Sequence, residues 1–457
     1  MLCENFSGLL QEGWEGVFAQ ERTHARAVEH ALGTVCAFGR RTVSRTICAI
    51  GRQHQDWSAD YKIFSRSPWE RDALFDPVLK EYLERFPDGP LRVAFDDTKL
   101  KKSGKKIKQA SWQRDPLSPP FHVNFIWGLR FAHASLLFPL YRGGRFDCRG
   151  IPVRFWDAPA LKKPGKRASA KQKADYHKMK KTINLSTRFL EQMRSLRKNL
   201  DQHGAHNRVM IAAVDGSLCN QTLFKARLDR VEIVARCRKD AKLCFPAPSA
   251  SRKKYGEKKF TPQEVRQEES VPWQKAKIFF GGAWRVIRYK EVKKVLWQRG
   301  AGRRELRLIV IAPQPYRLSR GSRTNYREPA YLLSTDIEGP IVSLIQAYFD
   351  RWQIEVNHRD VKDLLGVGQA QVWSESSVPR QPAFAVSVYS LLLLAGLKAY
   401  GPGRTDDYVP LPKWRRKARR ASALDLITLL RKEINETRDS RYEKLNIPKN
   451  TVMYAYG

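Results

Sequence analysis

Two short apolar runs, each followed by an acidic residue, constrain the fold of this chain most strongly. LRVAF at 91–95 is followed by Asp96 and Asp97, and RVMIAAV at 208–214 is followed by Asp215. Apolar runs of this length that contain β-branched residues are typical of buried strands. The sequence therefore predicts two buried strands that each stop at a carboxylate.

Carboxylates at strand ends are typical of sites that transfer phosphoryl groups with two metal ions. In such sites carboxylates hold two Mg²⁺ ions about 3.5–4 Å apart, which stabilise the attacking and leaving oxygens. Mg²⁺ prefers oxygen ligands and keeps several waters, so a few carboxylates are enough. The alternative is that these acids are ordinary solvated loop residues, and two acids alone do not decide between the interpretations.

The charge of the chain points to a polyanionic partner. The chain has 84 Lys and Arg against 46 Asp and Glu, which gives a formal net charge of +38, and nucleic acid is the first candidate. Lysines are dense at 99–108 and at 162–181, where we expect non-specific contacts with DNA phosphates. The first run contains six lysines, of which the predicted DNA contacts are Lys101, Lys102, Lys105 and Lys106. The sequence contains no glycine-rich P-loop, which argues against an ATP-driven machine.

Before the first apolar run the sequence predicts helices. Residues 21–38 carry apolar residues at helical spacing, Gly39 breaks the pattern, and basic residues at 40–47 predict a short second helix. This order fits a helix-turn-helix, whose second helix enters the major groove of DNA. Its exposed contacts would be Arg40, Arg41, Ser44 and Arg45. The alternative is a small helical bundle without this role, because any such bundle can show the same pattern.

A third acid lies on a long helix predicted from about Gly339 to Leu365. Four polar residues fall within about 60° of one face of this helix when each residue turns by 100°: Tyr348, Arg351, Glu355 and Lys362. An acid flanked by two cations and a phenol is a coherent surface for phosphate and metal. The alternative is a solvated face of ion pairs, but apolar residues beside the stripe favour partial burial and hence a site.

The most apolar stretch, residues 383–397, predicts a buried core helix. It contains two serines and is shorter than the ~20 residues that a membrane span requires, so no membrane partner is expected. The first 13 residues lack the basic start and apolar run of a secretory signal. The seven cysteines form no CxxC pair and no zinc-finger spacing, which predicts reduced thiols in a cytoplasmic protein.

The order of the acids and of the helix stripe resembles DDE transposases from bacterial insertion sequences. The stripe fills the pattern Y-x2-R-x3-E-x6-K, while FDDTK at 95–99 and AAVDGS at 212–217 resemble the contexts of the first two acids. ARCRKDA at 235–241 resembles the strand that follows, and GRRTVSRTI at 39–47 resembles the helix-turn-helix of one such group. The resemblance covers roughly residues 20–400.

The resemblance implies an α/β fold: an RNase H-like catalytic domain with a mixed sheet and flanking helices, interrupted before the last acid by a β-rich insertion. It divides the chain into a helical DNA-binding domain at 1–88 (helix-turn-helix about 21–50), the first part of the catalytic core at 89–225, the insertion at 226–330, the second part of the core at 331–402 and a basic C-terminal region at 403–457.

The resemblance also implies an activity and its partners. The protein would hydrolyse phosphodiester bonds at the ends of a mobile element and transfer the freed 3′-OH into target DNA. It would act as a homodimer on double-stranded DNA, at terminal inverted repeats and target DNA. Its cofactor would be two Mg²⁺ ions, with Mn²⁺ as a substitute. The alternatives are a catalytically inactive descendant that acts as a DNA-binding protein or repressor, and a general RNase H-like nuclease.

By motif, the catalytic metal ligands would be Asp96, Asp215 and Glu355, and the residues that bind phosphates near the cut would be Tyr348, Arg351 and Lys362. Asp97 is the alternative to Asp96, which we prefer because it directly follows the apolar run and stands in the D-x-T register. Two further residues have two interpretations each. His358 either contacts substrate or packs, and Trp297 either stacks on a flipped base or packs in the core.

A substitution in the predicted recognition helix tests its role. Arg45→Ala should weaken binding to the element's end more than binding to random DNA, because a base contact is worth ~1–3 kcal/mol whereas a phosphate contact affects both DNAs alike. Equilibrium binding to the two duplexes measures the difference. Equal losses on both would make the helix a clamp on the DNA backbone.

Overall fold

The computed structural model describes residues 1–115, 117–119, 121–142, 145–319, 321–414, 418–437 and 445. Its α-helices are α1 Leu2–Gln11, α2 Glu21–Cys36, α3 Val43–Ala49, α4 Ser58–Ser65, α5 Asp76–Arg85, α6 Ala170–Thr182, α7 Leu185–Gln202, α8 Gln221–Lys225, α9 Pro262–Gln267, α10 Gln298–Ala301, α11 Ile341–Asp350, α12 Trp352–Asp363, α13 Ser377–Tyr400 and α14 Ala423–Glu436. Its strands are β1 Leu91–Lys101, β2 Ser111–Arg114, β3 Phe125–Arg142, β4 Arg145–Asp157, β5 Met210–Val214, β6 Val231–Arg236, β7 Leu243–Pro246, β8 Tyr255–Phe260, β9 Gln274–Phe280, β10 Ala283–Leu296, β11 Glu305–Ile311, β12 Pro315–Tyr316, β13 Asn325–Tyr326 and β14 Ala330–Ser334.

A twelve-stranded mixed sheet forms the centre of the described structure. The strand order is β2-β3-β1-β5-β6-β14-β11-β10-β7-β8, with β4 paired to β3 and β9 paired to β10. β3 runs antiparallel to β1, whereas β5 is parallel to both β1 and β6. The mixed α/β class is therefore confirmed, and this arrangement is consistent with an RNase H-like domain.

The pairing of β1 with β5 brings the first two acids to the same edge. Phe95 lies opposite Val214 in the last pair of this parallel ladder, and β5 is buried throughout. Because parallel strands run in the same direction, the residues that follow this pair leave the ladder side by side. Those residues are Asp96 and Asp215.

β1 is longer than the sequence predicted. Instead of stopping at Phe95, it continues to Lys101 and stays paired with β3, with Asp96 opposite His133. The prediction was wrong because two consecutive acids interrupt the apolar pattern, while the backbone of β3 continues to offer hydrogen bonds. At Asp96, β1 is therefore still paired with β3 but is no longer paired with β5.

The strands between the second acid and α11 extend the same sheet. β6, which the domain prediction placed in the insertion at 226–330, pairs in parallel with β5, and β14, β11 and β10 continue beyond it. A separate two-stranded sheet contains β12 and β13. The strand-rich character predicted for this region is present. Trp297 packs edge-on against Phe224, with their ring centroids 5.8 Å apart. This contact favours the interpretation that Trp297 packs in the core.

One hydrophobic core joins the N-terminal helices, the sheet and the C-terminal helices. α13 contains the apolar stretch predicted as a core helix and packs against α1, α14 and β4. By length and composition this helix is able to cross a membrane, but 83% of its most apolar window is buried inside the protein. No disulfide joins the seven cysteines, all of which lie in the described residues. In the basic C-terminal region predicted at 403–457, residues 415–417, 438–444 and 446–457 lie outside the described residues.

α12 packs closely on β4 at Gly150. A Cβ atom at this position would lie 2.8 Å from Cβ of Gln353 and 3.1 Å from Oδ1 of Asn357. The amide nitrogen of the buried Asn357 donates to the carbonyl oxygen of Gly150 at 2.9 Å, and Ser135 Oγ donates to Asn357 Oδ1 at 2.9 Å. These contacts fix α12 against β3 and β4.

Adding a methyl group at this contact should destabilise the fold. Gly150→Ala should cost about 1–3 kcal/mol, because the new Cβ forces the helix or the strand to shift. Gly165→Ala is the matched control, since a Cβ there meets open space, and its effect should stay within about 0.5 kcal/mol. Urea unfolding measures both variants. Equal stability of the two variants would contradict the tight packing of α12.

Candidate active site

The guanidinium of Arg351 lies between three acids from separate parts of the fold. Its Nη1 is 3.6 Å from Asp96 Oδ2, and its Nη2 is 3.1 Å from Glu355 Oε1 and 3.9 Å from Asp215 Oδ1. Asp96 lies in β1, Asp215 directly follows β5, and Glu355 belongs to the first turn of α12. The structure thus places the three acids that the sequence predicted as metal ligands around one cation.

The long helix predicted from Gly339 to Leu365 is two helices that meet at Arg351. The N–H of Arg351 donates to the carbonyl oxygen of Ala347 at 3.0 Å, whereas Ile354 donates to Arg351 three residues back, also at 3.0 Å. The joint contains neither Pro nor Gly, so the sequence carried no signal of the break. Arg351 and Glu355 remain one turn apart, which allows their ion pair across the joint.

Asp96 and Asp97 have different surroundings. The carboxylate of Asp97 accepts two bonds from Arg130, from Nε at 2.7 Å and from Nη2 at 3.2 Å. Asp96 faces Arg351 and accepts the backbone N–H of Asp97 at 2.8 Å. Because successive side chains of a strand point to opposite faces, the two carboxylates serve different sides of the sheet. These contacts favour Asp96 over Asp97 as a ligand.

Burial governs the protonation of the site. Burial raises the pKa of Asp96 to about 7; Arg351 opposes this rise, and repulsion from Asp97 and Asp215 adds to it. Burial also raises the pKa of Glu355, again against the attraction of Arg351. The one guanidinium therefore does not fully compensate for the removal of these carboxylates from water.

The two other members of the predicted stripe lie close to the acids. Burial raises the pKa of the Tyr348 hydroxyl, so it remains protonated at neutral pH. Burial lowers the pKa of Lys362, although the nearby Asp97 and Asp96 oppose that change. Both groups are therefore potential hydrogen-bond donors in a partly desolvated environment.

The three acids fit a divalent cation by their chemistry. Carboxylate oxygens are the ligands that Mg²⁺ and Mn²⁺ prefer, and the side chains of Asp96, Glu355 and Asp215 are 21%, 34% and 46% exposed. In the described part of the chain, no three His, Cys, Asp or Glu side chains lie close enough together to hold an ion as they stand. Since Arg351 lies between the acids, it would have to move aside for an ion to bind.

Three of the four residues predicted as contacts of a recognition helix are exposed: Arg40, Ser44 and Arg45. The helix begins at Val43, because the hydroxyl of Thr42 caps it by accepting the N–H of Arg45 at 3.1 Å. Arg40 and Arg41 therefore precede α3 instead of lying on it.

Arg41 does not have the exposure that was predicted for it as a DNA contact. Arg41 is half-buried, and its guanidinium donates to the carbonyl oxygen of Leu364 at 3.2 Å, while its backbone N–H donates to Gln369 at 2.7 Å. Burial lowers the pKa of this guanidinium to about 10. Gly366 has φ +60°, and a Cβ there would lie 2.6 Å from Arg41 Cγ. The hydrogen bonds of Arg41 therefore connect the residues before α3 to the C-terminal end of α12.

Lys102 also lacks the exposure expected of a contact with DNA phosphates. Lys102 is buried, and its Nζ donates to the carbonyl oxygens of Gly368 and Ala370 at 2.8 and 2.6 Å. Burial lowers its pKa to about 8, and the nearby Arg40 adds to the effect. Lys102 fixes the segment after α12, whereas the other lysines of this prediction are exposed: Lys101, Lys105 and Lys106.

Sequence reasoning missed the groups that hold the acids in place. Arg130 binds Asp97, and Asn357 bonds α12 to the sheet, but neither belongs to a motif and their partners are distant in sequence. His358 packs against His133 with ring centroids 5.0 Å apart. Burial lowers the pKa of His358 to about 3, so the packing interpretation of this histidine is favoured over substrate contact.

Comparison with known families identifies a match over most of the chain. The model of a family described as DDE superfamily endonuclease matches residues 17–304. The matched region contains Asp96 and Asp215 and ends before Glu355. A comparison with curated proteins finds no match.

Replacing Asp96 by Asn should stabilise the metal-free protein at high pH. The folded pKa is about 7, whereas an unfolded aspartate titrates near about 3.9, so the folded state holds this proton more tightly. The free energy of unfolding of the wild type should therefore fall as the pH rises from about 4 to about 7, and it should stay low above pH 7. In EDTA at pH 8, Asp96→Asn should be more stable by about 1–3 kcal/mol, since each pH unit between the two values corresponds to ~1.4 kcal/mol.

Thermal unfolding at pH 4 and pH 8 measures this difference. Asp97→Asn is the matched control, because it removes the ion pair with Arg130 and should not gain stability at pH 8. A stability difference between Asp96→Asn and wild type that does not change with pH would contradict the desolvation of Asp96.

Proposed function

Because the chain belongs to the DDE superfamily of endonucleases, we propose that it is a transposase. In this proposal it binds the ends of its mobile element, hydrolyses the phosphodiester bonds there and transfers the 3′-OH ends into target DNA. A DDE endonuclease acts on DNA, and the net charge of +38 suits that substrate. The observation that carries the proposal is the convergence of Asp96, Asp215 and Glu355 on Arg351.

The three acids would hold two Mg²⁺ ions, with Mn²⁺ as a substitute. When bound, such ions stabilise the attacking and leaving oxygens of the displacement. The chain contributes carboxylates in a partly desolvated site, where charge interactions are stronger than in water. Asp96, whose pKa is about 7, must release its proton to act as a ligand, so cation binding and its deprotonation are coupled.

Arg351 and Lys362 would bind the DNA phosphates next to the cut. A guanidinium binds phosphate and carboxylate oxygens with the same two-pronged geometry, so Arg351 is able to exchange its carboxylate partners for a phosphate. Lys362 is half-buried near Asp96, where a phosphate would be a strong partner for its ammonium group. Tyr348 keeps its proton and would donate a hydrogen bond. Together these residues would orient the scissile bond toward the acids.

Surfaces outside the site would hold the rest of the DNA. The exposed side chains around α3, Arg40, Ser44 and Arg45, would act as the contacts of a helix-turn-helix, and the exposed lysines Lys101, Lys105 and Lys106 would bind phosphates without sequence preference. The chain would belong to the transposase group with the Y-R-E-K signature and a β-rich insertion, and it would act as a homodimer on DNA.

Charge-removing substitutions of the acids test the catalytic assignment. Glu355→Gln keeps the size of the side chain but removes the charge that holds a divalent ion, so Mg²⁺-dependent nicking and strand transfer should fall at least about 100-fold. Asp215→Asn and Asp96→Asn should do the same. Binding to DNA should persist in all three, because basic residues elsewhere carry it. Gel assays of nicking and of DNA binding measure both properties.

Two controls make this experiment decisive. Asp97→Asn should retain part of the activity, because Asp97 is paired with Arg130. Glu84→Gln, at an exposed position on α5, should retain all of it. Cleavage by Glu355→Gln at the wild-type rate would refute the metal-site assignment. A wild-type protein that binds DNA but never cuts it with Mg²⁺ or Mn²⁺ would instead support the inactive descendant.

A further inference from the structure

Three segments that are distant in sequence enclose a surface cavity of about 430 Å³. One wall is formed around the start of α3 by Arg40 and Ser44, and a second by Tyr61 of α4. The third is formed by residues 371–374 and 377, which include Trp373. The third wall follows α12 in the chain. This cavity, here named the α3 groove, lies outside the group of acids around Arg351.

The third wall of the α3 groove is held by hydrogen bonds to its neighbours. Ser376 Oγ donates to the carbonyl oxygen of Ser65 at 2.7 Å. On the other side, the N–H of Lys108 donates to the carbonyl oxygen of Trp373 at 3.3 Å, and Lys102 fixes the residues just before this wall. The segment that forms the third wall is therefore hydrogen-bonded both to α4 and to the lysine-rich loop between β1 and β2.

Aromatic side chains are exposed at this fixed surface. Trp373 is 65% exposed although its backbone is bonded in place, and Tyr61 is 39% exposed. Trp57 contacts Tyr61 edge-on with ring centroids 5.5 Å apart and extends the aromatic surface along α4. A single exposed aromatic residue is common, but several at one groove indicate an interaction site.

The charges near the groove are mostly positive. Arg40 lines it, Arg45 is exposed on α3, and three exposed lysines lie on the loop that is bonded to Trp373: Lys105, Lys106 and Lys108. Two exposed acids are near these segments in sequence, Asp56 next to Trp57 and Glu375 next to Ser374. Cations bind the phosphates of a duplex, and aromatic rings are able to pack against its deoxyribose, so this surface has the chemistry that DNA binds.

We propose that the α3 groove binds double-stranded DNA and that Trp373 is an apolar contact in it, flanked by cations that hold the phosphates. The inference rests on the proposed function and adds an aromatic contact that no sequence motif marked. Since Lys102 and Arg41 fasten both sides of the groove to the chain just after α12, DNA in the groove is held in a fixed position relative to Glu355.

Removing the aromatic ring should weaken DNA binding without changing its salt dependence. Trp373→Ala should raise the Kd for a labelled random-sequence duplex about 10-fold, because the ring would lose apolar surface that it buries against the deoxyribose of the duplex. The slope of log K against log salt should stay constant, since an apolar contact releases no counterions. The double variant Lys105→Ala and Lys106→Ala should instead flatten that slope by about 0.9 for each phosphate that these lysines neutralise in the wild type. Fluorescence anisotropy at several salt concentrations measures both quantities.

The controls separate this aromatic contact from misfolding and from other partners. Trp373→Phe keeps an aromatic face and should retain most of the affinity, and Tyr326→Ala, whose side chain is similarly exposed at 67% on β13, should bind as wild type does. Wild-type affinity of Trp373→Ala would overturn the proposal. A smaller sedimentation coefficient of this variant without DNA would also overturn it, because the groove would then be an interface between copies of the chain. Loss of binding in Trp373→Ala together with persistent cleavage in Glu355→Gln would support the groove and refute the catalytic assignment.

Discussion

The ion pairs between Arg351 and three carboxylates define the centre of this protein. Like-charged carboxylates repel one another, and taking them out of water adds a further cost that a partner cation must offset. The guanidinium of Arg351 contacts Asp96, Asp215 and Glu355 within 3.9 Å, and yet the pKa of Asp96 remains raised to about 7. Such incomplete compensation is typical of a functional site, where charge is concentrated at the expense of stability.

The rest of the fold brings these charges together and keeps them there. The parallel ladder of β1 and β5 ends at the pair of Phe95 and Val214. Asp96 and Asp215 follow this pair and therefore lie on neighbouring segments at the same edge. The location of the third acid, Glu355, is set by the position of α12. This helix lies close to β4 because Gly150 has no side chain and because Asn357 donates a hydrogen bond to its carbonyl oxygen. Arg41 joins the end of the same helix to α3. Hydrogen bonds therefore connect α12, which carries Glu355, to the predicted DNA-reading helix.

Local patterns in the sequence predicted the strands and the acids, but not the contacts between distant segments. The apolar run before Asp215 identified β5 because buried strands leave a local signal. The break at Arg351 left none, since a joint without Pro or Gly depends on tertiary packing. Arg41 and Lys102 appeared as surface cations because sequence does not reveal that carbonyl oxygens more than 260 residues away accept their hydrogen bonds. A long basic side chain is able to lie on the surface or to donate hydrogen bonds inside the protein, and only the fold decides which of the two it does.

The central claim is that the three acids around Arg351 form the divalent-metal site of a DDE endonuclease. The most direct test is X-ray diffraction from crystals grown with Mn²⁺ and DNA, with anomalous maps recorded at the manganese edge. We expect one or two manganese ions bound by Asp96, Asp215 and Glu355, with the Arg351 side chain turned away from them toward phosphate. Anomalous peaks at other residues, with Arg351 still bridging the three carboxylates, would contradict it.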